Sequence, residues 1–286
     1  MKLDNIPKIL HLYWDGRTHL SFLQYLTMVT FKELNPDWAI KLYVPMIYFK
    51  HKTWKSFEQK IEYTGKNYYR KLSDYAEIIK IDFETIGFRN DISEIIKSDY
   101  LRYYLLSTQG GGWADFDIIF LKPISEIANG TNTQIIGDEN KIDTVITYFD
   151  GHFPVGFFMA SKNNKVFKII LQNCSRHYDS DRYQSLGVEL WNRVFVDPER
   201  MAARTKCNIL FVNNETYLPY KWFETPILFE FNQPDVNTER VTENSIGIHW
   251  FNGSNEAKNF ENDFSNGEHY KDAVICKYME KYKDLV

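Results

Sequence analysis

The chain predicts an α/β fold built on an open, Rossmann-like sheet, and three observations carry that reading. Strand-type and helix-type stretches alternate along its length, with no internal repeat and no low-complexity segment. The first of these stretches close a βαβ unit by Val44. The size, 286 residues, and an ordinary balance of 44% hydrophobic and 25% charged residues suit one large domain over 1–286.

Ile9 to Tyr13 is an apolar run of strand length. Ser21 then caps a helix that turns Phe22, Leu26 and Val29 inward and is stopped by Asn35-Pro36. Ala39 to Val44 supplies the second strand. Residues 46–91 are rich in Lys and Tyr and read as a mainly helical inserted lobe. A further helix follows. Asn90-Asp91 with Glu94 gives it an N-cap and a capping-box acid, and Gly110 to Gly112 end it. Strands recur at about 134–137, 143–149, 155–160, 208–212 and 246–250, with helices near 163–173 and 185–196.

Charge and cysteine content exclude several classes. A net charge of −4 and a pI near 6.0 leave no global basic field for nucleic acid or anionic membrane. Cys174, Cys207 and Cys276 have neither the number nor the spacing of a disulfide framework or a zinc site, and fit thiols in a reducing compartment. The opening Met-Lys-Leu-Asp-Asn-Ile-Pro lacks the apolar core of a signal peptide, and no run reaches membrane-spanning length. The expectation is a cytoplasmic protein without a transmembrane anchor.

The chemistry concentrates in Ser98-Asp99-Tyr100-Leu101-Arg102 and Gly110-Gly111-Gly112-Trp113-Ala114-Asp115-Phe116-Asp117. On an extended segment Asp115 and Asp117 share a face, roughly 7 Å apart. Hard oxygen ligands of this kind suit Mg²⁺ or Mn²⁺ against phosphate oxygens. The glycines let backbone approach a bulky ligand, and Ile118-Ile119-Phe120-Leu121 anchors the pair to a buried strand. In the preceding helix Ile95, Ile96, Tyr103 and Leu106 form an apolar face, with Asp99 and Arg102 in its middle at i and i+3. Charges there are costly unless paired or used. They make a buried intrahelical ion pair, or a carboxylate and guanidinium aimed at a polar ligand. After the first strand, Trp14-Asp15-Gly16 lies where open α/β sheets bind ligands, so Trp14 either stacks on a nucleobase or packs over the sheet edge.

Ile6-Pro7-Lys8-Ile9-Leu10-His11-Leu12-Tyr13-Trp14, Ser98-Asp99-x-x-Arg102 and Gly-Gly-Trp-Ala-Asp115-Phe-Asp117, in that order, resemble glycosyltransferase family 32, the DXD-containing sugar transferases. The same order resembles the catalytic domain of the large clostridial glucosylating toxins. The resemblance covers about residues 5–125. Beyond it are Ser185-Leu186-Gly187, Tyr217-Leu218-Pro219 and a C-terminal Ile248-His249-Trp250-Phe251-Asn252-Gly253-Ser254-Asn255.

It implies a GT-A-type fold, a nucleotide-sugar donor such as a UDP-sugar, Mn²⁺ or Mg²⁺, and retention of configuration. Carried over, Trp14 stacks on the base and the backbone around Leu12 reads its edge. Asp99 holds sugar hydroxyls, and Arg102 the sugar or diphosphate. Asp115 contacts ribose and sugar, and Asp117 ligates the metal. His249 or Asn252 completes the metal shell, and Ser254 touches a phosphate. Asn255 stands where the family usually has Trp, which puts the donor-phosphate contact at that position in question.

The acceptor stays open among glycan, lipid-linked, protein and modified nucleic-acid molecules. Lys50, Lys52, Lys55, Lys60, Lys66, Arg70 and Lys71, interleaved with Trp54, Phe57, Tyr63, Tyr68 and Tyr69, form a solvated helical surface or a patch for a phosphate-bearing acceptor. Two other classes compete. A non-catalytic nucleotide-sugar-binding protein would keep the fold without turnover. A haloacid-dehalogenase-like phosphohydrolase also uses Asp-x-Asp, but places it on the first strand.

Overall fold

A computed structural model describes residues 3–49, 61–130, 133–230, 238–268 and 272–286. The chain opens with strand β1 (Ile9–Tyr13), helix α1 (Phe22–Leu34) and strand β2 (Ala39–Pro45). The side chain of Ser21 caps α1 in a full capping box with Gln24, and the Asn35 N–H closes its end on Phe31. Strand β3 (Glu77–Ile81) follows, then helix α2 (Glu94–Thr108) and strands β4 (Gly111–Ala114) and β5 (Ile118–Phe120). Strands β6 (Thr133–Ile136), β7 (Thr144–Thr147) and β8 (Phe157–Ala160) lead to helices α3 (Lys165–His177), α4 (Val188–Val194) and α5 (Pro198–Thr205). Strand β9 (Ile209–Val212), helix α6 (Thr225–Phe229), strand β10 (Gly247–His249) and helices α7 (Asn255–Ser265) and α8 (Val274–Met279) complete the order.

Eight strands form one sheet in the order β3-β2-β1-β4-β8-β7-β9-β6. β3, β2, β1 and β4 run parallel, β8 returns antiparallel, and β7 and β9 are again parallel to each other. Parallel strands must be covered on both faces. Leu10 and Leu12 point into one core with α1, α7 and α8, while Tyr13 points into a second core with α2, α3 and α4. This is the α/β class the sequence predicts, with a parallel-dominated sheet. A separate two-stranded sheet pairs β5 with β10 antiparallel, bringing His249 opposite Ile118.

Three expectations change. The lobe over 46–91 has no α-helix among its described residues; it contributes the edge strand β3 and two short 3₁₀ turns, and residues 50–60 lie outside the described residues. An edge strand with only Ile81 buried shows little apolar alternation, so its sequence does not announce it. Helix α2 starts one turn later than expected, after Ser93, with Asn90 instead bonding the Asp82 side chain.

The glycine run is no helix terminus alone: Gly111 and Gly112 are the first residues of β4. Their close approach is to the sheet, not to a ligand. At Gly111 (φ +103°) an added Cβ would sit 2.5 Å from the Ile9 carbonyl. Gly111→Ala is therefore expected to lose about 1–3 kcal/mol of stability, read by urea denaturation. A wild-type midpoint would show that β1 and β4 can part without cost.

Candidate active site

The carboxyl ends of β1, β2 and β4 open into a cleft of about 1920 Å³. At its floor the chain leaves β1 through Trp14, whose N–H donates to the Tyr43 carbonyl at 3.0 Å. The indole stands edge-on to Phe116 at 5.5 Å, and its buried Nε1 has no hydrogen-bond partner. Trp14 thus packs on the sheet end while lining the cleft. Leu12 does not line it. It is fully buried and held in parallel register with Leu42, so its backbone is spent on the sheet and Tyr13, Trp14 and Asp15 take its place on the wall. His11, also buried, bridges the Gly110 carbonyl at 2.8 Å and the Tyr43 hydroxyl at 3.2 Å. Burial pushes its pKa down to about 4, so it is a neutral structural link.

The structure shows Asp99 and Arg102 as a buried pair at the cleft wall. They are an intrahelical ion pair at 2.9 Å, and both line the cleft. Arg102 also reaches Asp115 at 3.2 Å, bonds the Val155 carbonyl, and lies over the Trp113 ring at 5.1 Å. The Trp113 indole N–H donates to the same Asp115 oxygen at 3.0 Å. These contacts hold Oδ1 of Asp115 and leave Oδ2 for the cleft. Burial drives the Asp99 carboxyl up to about 7, with Arg102 opposing and Asp115 reinforcing the rise.

The pH consequence follows from the sign. A carboxyl raised above its unfolded value binds its proton more tightly when folded. Its stabilising contribution is complete below the ordinary carboxyl value of 3.8 and is lost as pH rises through about 7. In the metal-free protein Asp99→Asn is expected to flatten the fall in melting temperature over that window. An unchanged slope would assign it to another group.

Asp115 and Asp117 do not share a strand face: they sit in the turn between β4 and β5. β10 delivers the third member, His249. Ligand-capable atoms of Asp115, Asp117 and His249 all lie within 4.8 Å of one another. His249 Nε2 is 3.0 Å from Asp117 Oδ1, and the Asn252 backbone N–H donates to Asp117 Oδ2 at 2.9 Å. Burial alone would raise Asp117, but His249, the Asn252 N–H and Lys258 outweigh it and hold the carboxyl below its usual range. The same two carboxylates overcome burial to raise His249. Gly156 makes room, since a Cβ there would lie 3.2 Å from His249 and 3.4 Å from Asp115 Oδ2.

The donor set fits a divalent ion. Two carboxylates and one imidazole are ligands of the kind that divalent ions take. His249 Nδ1, buried and without a hydrogen-bond partner, marks a side chain not yet fully used. The side-chain oxygen of Asn252, next to this cluster in the chain, accepts from Lys258 Nζ. Ser254 is the N-cap of α7, accepting from the Ala257 N–H at 3.1 Å while lining the cleft, and Asn255 is exposed beside it.

In the basic stretch, Lys66 lies over the Tyr68 ring, and Lys71 lies over Tyr25 and Tyr68 and donates to the Leu285 carbonyl. These two cations are structural; Lys50, Lys52, Lys55, Lys60, Trp54 and Phe57 lie outside the described residues. Sequence reasoning passed over Gly156, Lys258 and Glu261. Only the i,i+3 spacing of Lys258 and Glu261 offered a local signal.

The α/β scaffold presents its paired-acid site at the ends of its parallel strands. Two family models match the chain: one described as an alpha 1,4-glycosyltransferase conserved region matches residues 159–272, and one described as a capsular polysaccharide synthesis protein matches residues 50–187. The chain is a glycosyltransferase. Among solved structures it is similar to the PaToxG glycosyltransferase, at 18% identity over 66% of this chain and 67% of that one, TM-score 0.43. It is also similar to the galactosyltransferase LgtC in complex with donor and acceptor sugar analogues, at 11% identity over 91% and 95%, TM-score 0.37. The UDP-bound glycosyltransferase domain of the YGT toxin is similar at 11% identity over 71% and 68%, TM-score 0.34. No curated protein matches significantly. The mid-chain place of Asp115 and Asp117, after β4, also sets aside the phosphohydrolase alternative.

Proposed function

We propose that the chain, acting as a single catalytic domain, transfers a sugar from a UDP-sugar to a hydroxyl acceptor in a metal-dependent reaction that retains configuration. The observation that supports it most is the joining of Asp115, Asp117 and His249 with Arg102 and Asp99 on one cleft wall. Asp117 and His249, with Asp115 Oδ2, would hold Mn²⁺ or Mg²⁺, which when bound offsets negative charge on the leaving nucleoside diphosphate.

The chain's own residues do the rest. Trp14 offers its indole face at the end of β1 to the nucleobase. Arg102, fixed by Asp99, Asp115 and Val155, presents a preorganised positive charge beside the donor sugar. Asp99, buried on the same wall, accepts or donates hydrogen bonds to sugar hydroxyls according to its protonation. The acceptor class remains a glycan, a lipid-linked intermediate, a protein or a modified nucleic acid. Among the described residues no helix is long and apolar enough to cross a membrane. The cysteines are all free thiols, which fits the reducing cytoplasm.

The test is release of nucleoside diphosphate from a panel of UDP- and GDP-sugars with and without Mn²⁺. Slow, Mn²⁺-dependent hydrolysis of one UDP-sugar is expected. Thermal stabilisation by the donor without hydrolysis, even with candidate acceptors, would turn the reading toward a non-catalytic nucleotide-sugar-binding protein. Neither response would overturn it.

A further inference from the structure

Behind the acidic cluster lies a chain of buried polar contacts that no step above uses. Lys258, on α7, is buried, and its ammonium donates to Glu261 Oε2 at 2.7 Å and to the side-chain oxygen of Asn252. Glu261 is also buried, and its other oxygen accepts from the hydroxyl of Ser21, the N-cap residue of α1. Asn252 in turn gives its backbone N–H to Asp117 Oδ2. The series runs Ser21, Glu261, Lys258, Asn252, Asp117, from the start of the first helix to the paired-acid turn.

Each link satisfies a group that would otherwise be costly in the interior. Lys258 and Glu261 offset each other's charge, and the Ser21 hydroxyl fills a second acceptor position. Residues 250–254 have no regular helix or strand of their own, and Phe251 sits at φ +55°. A left-handed Phe is strained and persists only where its surroundings hold it. The Lys258 grip on Asn252, one residue away, acts with the Ser254 N–H bond to the Phe251 carbonyl and the Phe251–His249 ring contact to hold it.

We infer that Lys258 and Glu261 form a positioning pair that tethers the Asn252 loop to α1 and so sets Asp117 for metal binding. The inference rests on the metal reading above. Lys258 does not replace a ligand; it fixes the residue whose N–H occupies one Asp117 oxygen and leaves the other facing His249. Groups that orient metal ligands in this way commonly change affinity 10–100-fold when removed, so about a tenfold loss is the expected minimum.

The experiment measures Mn²⁺ affinity by electron paramagnetic resonance, with metal-free melting temperature as a parallel readout. Removing Lys258 alone would strand Glu261, so the variant is Lys258→Met with Glu261→Leu, which exchanges a buried ion pair for apolar packing. Its metal-free melting temperature should stay near wild type while Mn²⁺ affinity falls at least about tenfold. Asn252→Ala, cutting the tether from the other end, should give a similar loss, and the triple variant should lose no more than either. Unchanged affinity in the Lys258/Glu261 variant, or additive losses, would overturn the tether. If that variant does not fold, Asn252→Ala decides: wild-type affinity overturns the tether and a tenfold loss supports it. A wild type that takes up no Mn²⁺, matching Asp117→Asn, would bring down the metal reading and the tether together.

Discussion

Asp117→Asn is expected to abolish Mn²⁺-dependent donor turnover, with a loss of about 10³-fold or more. A bound divalent ion contributes several kcal/mol of charge stabilisation at a leaving phosphate, and each 1.36 kcal/mol is a factor of ten in rate. Asn keeps the shape and still accepts from the Asn252 N–H, the contact made at 2.9 Å. It loses the attraction to His249, but it also relieves repulsion of Asp115, whose carboxyl burial raises and which Asp117 raises further. The two changes oppose each other, so the metal-free melting temperature should stay near that of wild type. Steady-state turnover and thermal denaturation check both halves. Turnover at the wild-type rate would place the metal elsewhere.

Arg102→Ala should do the reverse and damage the fold as well as the reaction. The guanidinium is 4% exposed and holds Asp99 at 2.9 Å and Asp115 at 3.2 Å. Removing it strands the buried carboxyl of Asp99 and leaves the half-buried Asp115 without its cation. Breaking one side of a buried pair costs about 3–5 kcal/mol. The penalty should depend on pH in a specific direction. Asp99 is driven up to about 7, so at pH 5 it is largely protonated and has little charge left to strand. The variant should therefore be closer to wild type in stability at pH 5 than at pH 8. Urea denaturation at the two pH values checks this; equal penalties would mean that Arg102 supports the wall by packing on Trp113 rather than by charge.

Much of this was legible in the sequence because the signals were local. The βαβ start needed only an apolar run, a Ser cap and an Asn-Pro stop. Asp99 and Arg102 stood out because a helix period placed both in an apolar stripe. The family resemblance pointed to His249 or Asn252 across the long gap that the β5–β10 pairing closes. What escaped depended on distant partners. The Ser21–Glu261 contact spans 240 residues, and neither side carries a pattern that foretells the other. The edge strand β3 escaped because one exposed side leaves it little apolar alternation, and Leu12 was misplaced because register in a parallel sheet is a tertiary property.

The small β5–β10 sheet has a consequence for the order in which the enzyme comes to life. Asp117 immediately precedes β5 and His249 ends β10, so the pairing of Ile118 with His249 is what brings the imidazole to the carboxylates. A growing chain that has emerged through β9 already holds the parallel sheet and both acids, but not the imidazole. The imidazole therefore joins the two carboxylates only once β10 has paired with β5, and α7, which follows, closes the same wall with Ser254 and Lys258.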